Sequence, residues 1–201
     1  LLTLFNTNWD HFVLFKPRDI VSGDFYWFYK SEHDLFFAAA DCTGHGVPGA
    51  SMSLLGITFL NEIMQHQQIS QPEKILNQLR NKVIQTLKQK EQDSKSRDGM
   101  DMTFCHINTE TREFSFSGAN NPLYIVSEGF PDLTHQQKDR IQPLHKENPG
   151  DSVNLYEIKP DKMPIGVYDK DEESFTSIKG VLNPGDCVYL FSDGYADQFG
   201  G

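Results

Sequence analysis

The stretch Asp24–Cys42, DFYWFYKSEHDLFFAAADC, decides the fold because it predicts a β-hairpin. Two apolar runs rich in aromatic residues, FYWFYK and LFFAAA, flank a polar four-residue turn, SEHD. Pairing Lys30 with Leu35 across the turn fixes the register. If the strand pairing continues in this register, the carboxylate of Asp24 lies opposite that of Asp41.

Two opposed carboxylates need something to neutralise them. Directly opposed side chains in an antiparallel ladder have Cβ atoms about 5 Å apart, and like charges there are destabilising. A divalent cation is the simplest group that would neutralise the two carboxylates. The residues after Asp41 support it, because DCTGHG leaves a strand and enters a glycine-rich turn. Glycines let the backbone approach a ligand, so a main-chain carbonyl can join the carboxylates as an oxygen ligand for Mg²⁺ or Mn²⁺.

A third carboxylate follows a strand-like run far downstream. Cys187–Phe191 ends in Ser192-Asp193-Gly194, which again places an Asp at a strand end and a glycine after it. An Asp-Gly pair after one strand more often marks a simple turn. Three such carboxylates, two of them in predicted register, favour a shared metal site.

At these residues the chain resembles the metal-dependent protein serine/threonine phosphatases of the PPM (type 2C) class, in their SpoIIE-like bacterial branch. The matching segments span nearly the whole chain in the family's order: Val21–Tyr26 (VSGDFY), Asp41–Gly46 (DCTGHG) with Pro48–Ala50 behind it, Met163–Gly166 (MPIG) and Ser192–Gly194 (SDG).

The resemblance implies a metal-dependent hydrolase with two Mn²⁺ or Mg²⁺ ions. By the family's pattern, Asp41 is the shared ligand and the backbone carbonyl of Cys42 helps to hold the second ion. Asp193 holds the other ion, and Asp24 acts largely through coordinated water. The same three aspartates are then catalytic, because an activated water attacks the phosphorus of a phosphoserine or phosphothreonine and no covalent phosphoenzyme is required.

The chain also predicts an α+β fold. Helical patterns cover Val47 to roughly Gln65 and a second segment that begins near Pro72. Short strand-like runs fill most of the rest: Met102–Ile107, Glu113–Ser117, Leu123–Val126, Val153–Ile158 and Phe175–Ile178. We expect a polar loop at Gln89–Arg97 and little regular structure over Phe130–Asp151. The resemblance sharpens this interpretation to two stacked antiparallel sheets flanked by helices, an α/β/β/α sandwich.

Composition agrees with a single domain over residues 1–201, which we expect to be cut at both ends from a longer protein. The 201 residues are 38% hydrophobic, enough for one substantial core. A net charge of −10 argues against nucleic acid or an anionic membrane surface as partner. Three cysteines without paired metal-ligand spacing fit a reducing compartment, and no apolar run approaches a membrane span.

The resemblance also implies partners and a location. It suggests a phosphorylated regulatory protein as substrate, such as an anti-sigma-factor antagonist. Relatives usually carry an N-terminal sensor or helical linker that controls the phosphatase. We therefore expect a cytoplasmic domain without membrane contact of its own, within a parent protein whose sensor can be membrane-anchored.

Several alternatives stay open at this point. His45 could protonate the leaving group or simply anchor its turn, and Asp98 and Asp101 could border the site or form a loop-to-strand turn. Asn120 stands where many relatives carry a His, and the chain ends at Gly201 before the family's further metal-binding Asp. The alternative function is therefore a catalytically silent PPM-fold scaffold module in a signalling protein.

Overall fold

The computed structural model describes residues 9–17, 20–66, 69–90, 98–129, 132–133, 139–144, 153–168 and 173–195. Within these ranges the chain forms two α-helices and two β-sheets, and every named strand pairs antiparallel to its neighbours. The α+β class with stacked antiparallel sheets is thus confirmed. Neither helix in this part of the chain is long and apolar enough to cross a membrane.

The elements follow one another from an initial hairpin through two helices to a long series of strands. The helices are α1 (Gly46–His66) and α2 (Pro72–Lys90). The strands are β1 (Phe25–Ser31), β2 (Asp34–Cys42), β3 (Gly99–Asn108), β4 (Glu113–Ala119), β5 (Leu123–Ser127), β6 (Asp132–Leu133), β7 (Ile141–Pro143), β8 (Asn154–Ile158), β9 (Ile165–Gly166), β10 (Ile178–Val181) and β11 (Cys187–Tyr189).

The larger sheet has seven strands and the smaller has four. The larger follows the order β1-β2-β3-β4-β10-β6, and β9 pairs with the first residues of β3. The smaller follows the order β11-β5-β8-β7. The register that we predict for the hairpin is confirmed, because Lys30 pairs with Leu35 and Phe25 with Ala40. Asp24 lies just before the first paired residue of β1.

Two hydrophobic layers hold the elements together. The first lies between the helices and one face of the larger sheet, where Trp27, Leu60, Leu79 and Phe104 are buried. The second lies between the two sheets and includes Phe116. Alternation along β3 explains the division, since Met100, Met102 and Phe104 belong to the first layer and Cys105 and Ile107 to the second. Both described helices therefore cover the face of the larger sheet that points away from the smaller one.

The short strands differ most from the sequence-based prediction. The strand expected at Phe175–Ile178 begins only at Ile178, and the one expected to reach Phe191 ends at Tyr189. Phe130–Asp151 contains β6 and β7. These elements are two to four residues long, so their extent depends on the partner strand more than on their own pattern. Helix α2 runs to Lys90, and residues 91–97 of the expected loop lie outside the described residues.

Candidate active site

Three distant segments bring the predicted carboxylates together at one end of the two sheets. Asp24 precedes β1, Asp41 is the penultimate residue of β2, and Asp193 begins the 3₁₀ turn that follows β11. The side chain of Asp41 forms hydrogen bonds with those of Asp193 and Asp24. The hydroxyl of Ser192 donates to Oδ2 of Asp24 at 2.8 Å, which joins residues 168 positions apart. The larger sheet supplies two of these carboxylates and the smaller sheet the third.

The electrostatics of Asp41 show how poorly this negative charge is balanced. Partial burial, the hydrogen bond with Asp193, and the charges of Asp24 and Asp193 together raise the pKa of Asp41 from 3.8 to about 8. A hydrogen bond between two carboxyl groups requires a proton between them. Asp41 therefore keeps its proton near neutral pH, and a bound cation would balance the same negative charges.

A fourth carboxylate lies beside them, and the sequence left its role open. Asp101 is the direct cross-strand partner of Asp41 between β3 and β2. Nδ2 of Asn120 donates to Oδ1 of Asp101 at 2.8 Å, and Asn120 adopts a left-handed backbone with φ of 56°. Burial raises the pKa of Asp101, and the Asn120 hydrogen bond opposes that rise. The sequence could have placed Asp101 beside Asp41 only if the pairing register of β3 with β2 were known.

Cys42 contributes through its backbone rather than its sulfur. Burial raises the pKa of the Cys42 thiol to about 12, so the group stays protonated at neutral pH. The carbonyl oxygen of Cys42 lies 3.1 Å from the point where a Cβ on Gly23 would stand. This close approach puts the carbonyl beside the residue that precedes Asp24, and it requires glycine there.

Thr43 fixes the glycine-rich turn to the start of β3. Its amide and its hydroxyl both donate to the carbonyl of Gly99, at 3.0 and 3.2 Å, and its Oγ1 accepts from the Gly99 amide at 3.0 Å. His45 is exposed, and no hydrogen bond of His45 is found within the described part of the chain. Thr43 therefore does the anchoring that we considered for His45. Asp98, just before β3, packs its carbonyl against Gly166.

Ser53 of α1 holds the loop that carries Asp24. Its buried hydroxyl lies within hydrogen-bond distance of the carbonyl oxygens of Ser22 (2.9 Å), Gly23 and Gly49 (3.1 Å). The amide of Asp24 in turn donates to the hydroxyl of Ser22 at 3.0 Å. Helix α1 thus positions Asp24 through backbone groups, and the sequence gives no pattern that would single out Ser53.

The side chains at this site have the chemistry that a hard divalent cation requires. Carboxylate and carbonyl oxygens are the ligands that Mg²⁺ and Mn²⁺ prefer. In the described ranges, no group of three or more His, Cys, Asp or Glu side chains has the geometry of a ready-made metal site. The donor set nevertheless fits a divalent cation. Burial and the neighbouring carboxylates raise the pKa of Asp41, and a bound cation would neutralise the same negative charge.

Solved structures define the class of protein. The SiaA-PP2C domain of Pseudomonas aeruginosa is 28% identical and aligns with a TM-score of 0.70, over 94% of this chain and 63% of that chain. RsbX in complex with magnesium is 16% identical with a TM-score of 0.57, over 90% of this chain and 71% of that one, and it shows the fold alone. The two stacked sheets therefore have the fold of PP2C-type domains.

The sequence comparisons define the family. Residues 31–144 match the family model of stage II sporulation protein E (SpoIIE), and the chain belongs to this family. The phosphoserine phosphatase RsbU of Bacillus subtilis (strain 168) is 25% identical over 185 residues, which cover 90% of this chain. The chain spans 44% of the length of that relative.

Proposed function

We propose that this chain forms one phosphatase domain that hydrolyses phosphoserine or phosphothreonine on a regulatory protein in a metal-dependent reaction. The observation that carries the proposal is the convergence of the carboxylates of Asp24, Asp41 and Asp193, from both sheets, at one place. A module without chemistry has no reason to keep like charges together, since their repulsion destabilises the fold.

The candidate ligands are Asp24, Asp41, Asp193 and the backbone carbonyl of Cys42. They would hold two Mn²⁺ or Mg²⁺ ions, with Asp41 as the shared ligand. When bound, such ions lower the pKa of water to produce a nucleophile and stabilise the negative charge of a transferring phosphoryl group. Magnesium is present in the RsbX complex named above, which supports this choice of metal.

The surrounding residues prepare the carboxylates for that role. Ser192 orients Asp24 through its hydroxyl, and Asn120 does the same for Asp101. Asp41 has to give up its proton before it can bind a cation, so metal binding releases a proton near neutral pH. The protonated thiol of Cys42 is a poor nucleophile, which is consistent with direct attack by water.

The substrate class and location follow from the relatives as proposals. RsbU is named as a phosphoserine phosphatase, and another structural neighbour combines RsbU and RsbW domains in one Mycobacterium tuberculosis protein. We therefore propose a phosphorylated partner of the anti-sigma-factor antagonist type, and an N-terminal sensor or linker in the parent protein. We also propose a cytoplasmic location, and the charge of −10 disfavours nucleic acid as a partner.

The test is hydrolysis of p-nitrophenyl phosphate and a phosphoserine peptide with Mn²⁺, Mg²⁺ or a chelator. It uses the 201-residue chain in parallel with any longer natural chain that contains it. We expect metal-dependent turnover that Asp41→Asn abolishes. Asp10→Asn is the matched control, because Asp10 is exposed and is not among the groups that interact with Asp41, and it should leave the rate unchanged.

Two results would contradict the proposal in different ways. No turnover together with no metal binding by calorimetry would favour the scaffold module, which keeps the fold but not the chemistry. A wild-type rate in Asp41→Asn would show instead that the reaction takes place elsewhere in the molecule.

A further inference from the structure

The candidate site has too little positive charge for its proposed substrate. A phosphoserine carries about −1.5 to −2 charges at neutral pH. Four aspartates, Asp24, Asp41, Asp101 and Asp193, face the space that its phosphate would enter. Two bound divalent ions would do little more than balance these carboxylates, so a cationic side chain at the edge would supply the positive charge that attracts the dianion.

The backbone carries Lys162 past this edge. Just before it, the amide of Asp161 donates to the carbonyl of Gly118 at 3.0 Å, and the carbonyl of Asp161 accepts from the amide of Asn120 at 2.9 Å. Shortly after it, β9 pairs with the first two residues of β3. Lys162 thus lies on a short crossing between the Asn120 turn and the start of β3.

Asp101 of β3 lies beside the segment that contains Lys162. On the same side of β3, the neighbour of Met102 is Ala119 of β4, and the neighbour of Met100 is Ile165 of β9. Asp101 stands between these two pairings, where one neighbouring strand ends and the next begins. The gap in the sheet edge is therefore next to the carboxylate site, and Lys162 belongs to the segment that spans it.

The side chain of Lys162 is free to bind a ligand. It is exposed, and within the described residues it makes no hydrogen bond or ion pair. Two other cations among the described residues already have acidic partners, since Lys82 pairs with Glu62 at 2.8 Å and Arg140 with Asp161 at 3.2 Å. The Lys162 ammonium nevertheless acts on the site. Burial raises the pKa of Asp101, and the positive charge of Lys162 is among the influences that oppose this rise.

We propose that Lys162 binds the phosphate of the phosphorylated substrate at the entrance to the carboxylate site and so determines its specificity for phosphorylated residues. The inference rests on the proposed phosphatase function. An ammonium group offers three donors on a flexible stem and suits a phosphate that must enter and leave. Because Lys162 has no ion-pair partner among the described residues, binding the phosphate breaks no ion pair with any of them.

The test measures KM and kcat for a phosphoserine peptide at saturating Mn²⁺ in wild type, Lys162→Ala and Lys162→Arg. The control is Lys30→Ala, because Lys30 is an exposed lysine at the opposite end of the hairpin. We expect Lys162→Ala to raise KM about tenfold to a hundredfold, the value of one charge-assisted hydrogen bond. Its kcat and its Mn²⁺ activation constant should stay near those of wild type. Arginine should restore most of the loss, and Lys30→Ala should resemble wild type.

Two kinetic results would overturn the inference. One is an unchanged KM in Lys162→Ala. The other is a shifted Mn²⁺ activation constant with unchanged inhibition by inorganic phosphate, because that pattern means that Lys162 only balances the charge of the carboxylates.

A calorimetric titration separates this inference from the proposed function. Inorganic phosphate is titrated into the Mn²⁺-loaded wild type and Lys162→Ala. If the wild type shows no turnover but binds phosphate through Lys162, the proposed function fails and the assignment of Lys162 stands. Equal binding by both proteins, or no binding by the wild type, would refute the assignment.

Discussion

At the scale of single residues, hydroxyl groups hold the carboxylates in place. Ser192 donates to the side chain of Asp24, and Ser22 accepts from the Asp24 amide. Ser53 of α1 lies within hydrogen-bond distance of the Ser22 carbonyl in the same loop. Residues that hydrogen-bond to metal ligands orient those ligands, and their loss weakens the binding of the metal. They are also invisible to a search for charged motifs, because serine is common in turns for other reasons.

Ser192→Ala should therefore weaken metal binding without unfolding the domain. The change removes the one hydrogen bond that links Asp24 to the end of β11, and we expect the Mn²⁺ activation constant to rise roughly 10- to 100-fold. Ser51→Ala is the matched control, because the Ser51 hydroxyl bonds only its own helix at the Val47 carbonyl. An activation constant that moves equally in both variants would contradict a specific role for Ser192.

The raised pKa of Asp41 predicts how the metal-free protein responds to pH. The folded chain keeps a proton on this group up to about pH 8, whereas the unfolded chain loses it near 3.8. Stability that is present at low pH is therefore lost as the pH rises toward 8. Urea unfolding in the presence of a chelator should show that the free energy of unfolding falls with pH in wild type and in Asp10→Asn. In Asp41→Asn the free energy of unfolding should depend less on pH. Equal slopes in all three proteins would contradict the assignment.

At the scale of elements, the turn between β2 and α1 depends on close backbone packing. Gly44 and Gly46 have φ of 90° and 65°, which favours glycine at both positions. Gly49, in the first turn of α1, faces the carbonyl of Gly44 so closely that a methyl group would overlap it, and the Cα of Gly23 would lie only 3.2 Å away. Helix α1, the turn and the Asp24 loop therefore form one packed unit.

Gly49→Ala should disrupt that unit. The overlap is with backbone, which cannot rotate away, so we expect a loss of about 1–3 kcal/mol in the free energy of unfolding. Alanine favours a helix by about 1 kcal/mol over glycine, so the loss would go against intrinsic propensity. Gly129→Ala is the control, since nothing lies within 4 Å of a Cβ there. Urea unfolding curves decide, and a stabilised Gly49→Ala would show that the turn yields easily.

Sequence could predict these elements to different degrees. The hairpin register was derivable, because a short turn and two apolar runs determine it together, and both helices carried clear patterns. The place of Asp101 was not derivable. Its pairing with Asp41 depends on β3, which returns to the hairpin only after two helices, and no local pattern encodes that contact. The short strands β6, β7 and β9 likewise exist through their partners.

At the scale of the whole molecule, the candidate site exists only where the two sheets meet. Asp24, Asp41 and Asp101 belong to the larger sheet and its flanking loop, whereas Asp193 follows the edge strand of the smaller sheet. Hydrophobic packing between the two sheets brings the ends of these strands together, and Phe116 is fully buried in that layer. The helix and strand patterns predicted an α+β fold, but the family resemblance was needed for two stacked sheets, because strand patterns do not say which strands share a sheet.

A ligand that bridges the sheets should stabilise the entire domain. At a Mn²⁺ concentration about 100 times its Kd, binding contributes about 2.7 kcal/mol, which for a chain of this size raises Tm by roughly 5–10 °C. Asp193→Asn should lose this increase as fully as Asp41→Asn, although the two residues belong to different sheets, because each supplies a ligand that the other cannot replace. Asp10→Asn should keep it. Thermal unfolding with Mn²⁺ and with chelator measures the difference for each variant. If Asp193→Asn kept the full increase, the hairpin alone would hold the metal and the smaller sheet would have no part in the site.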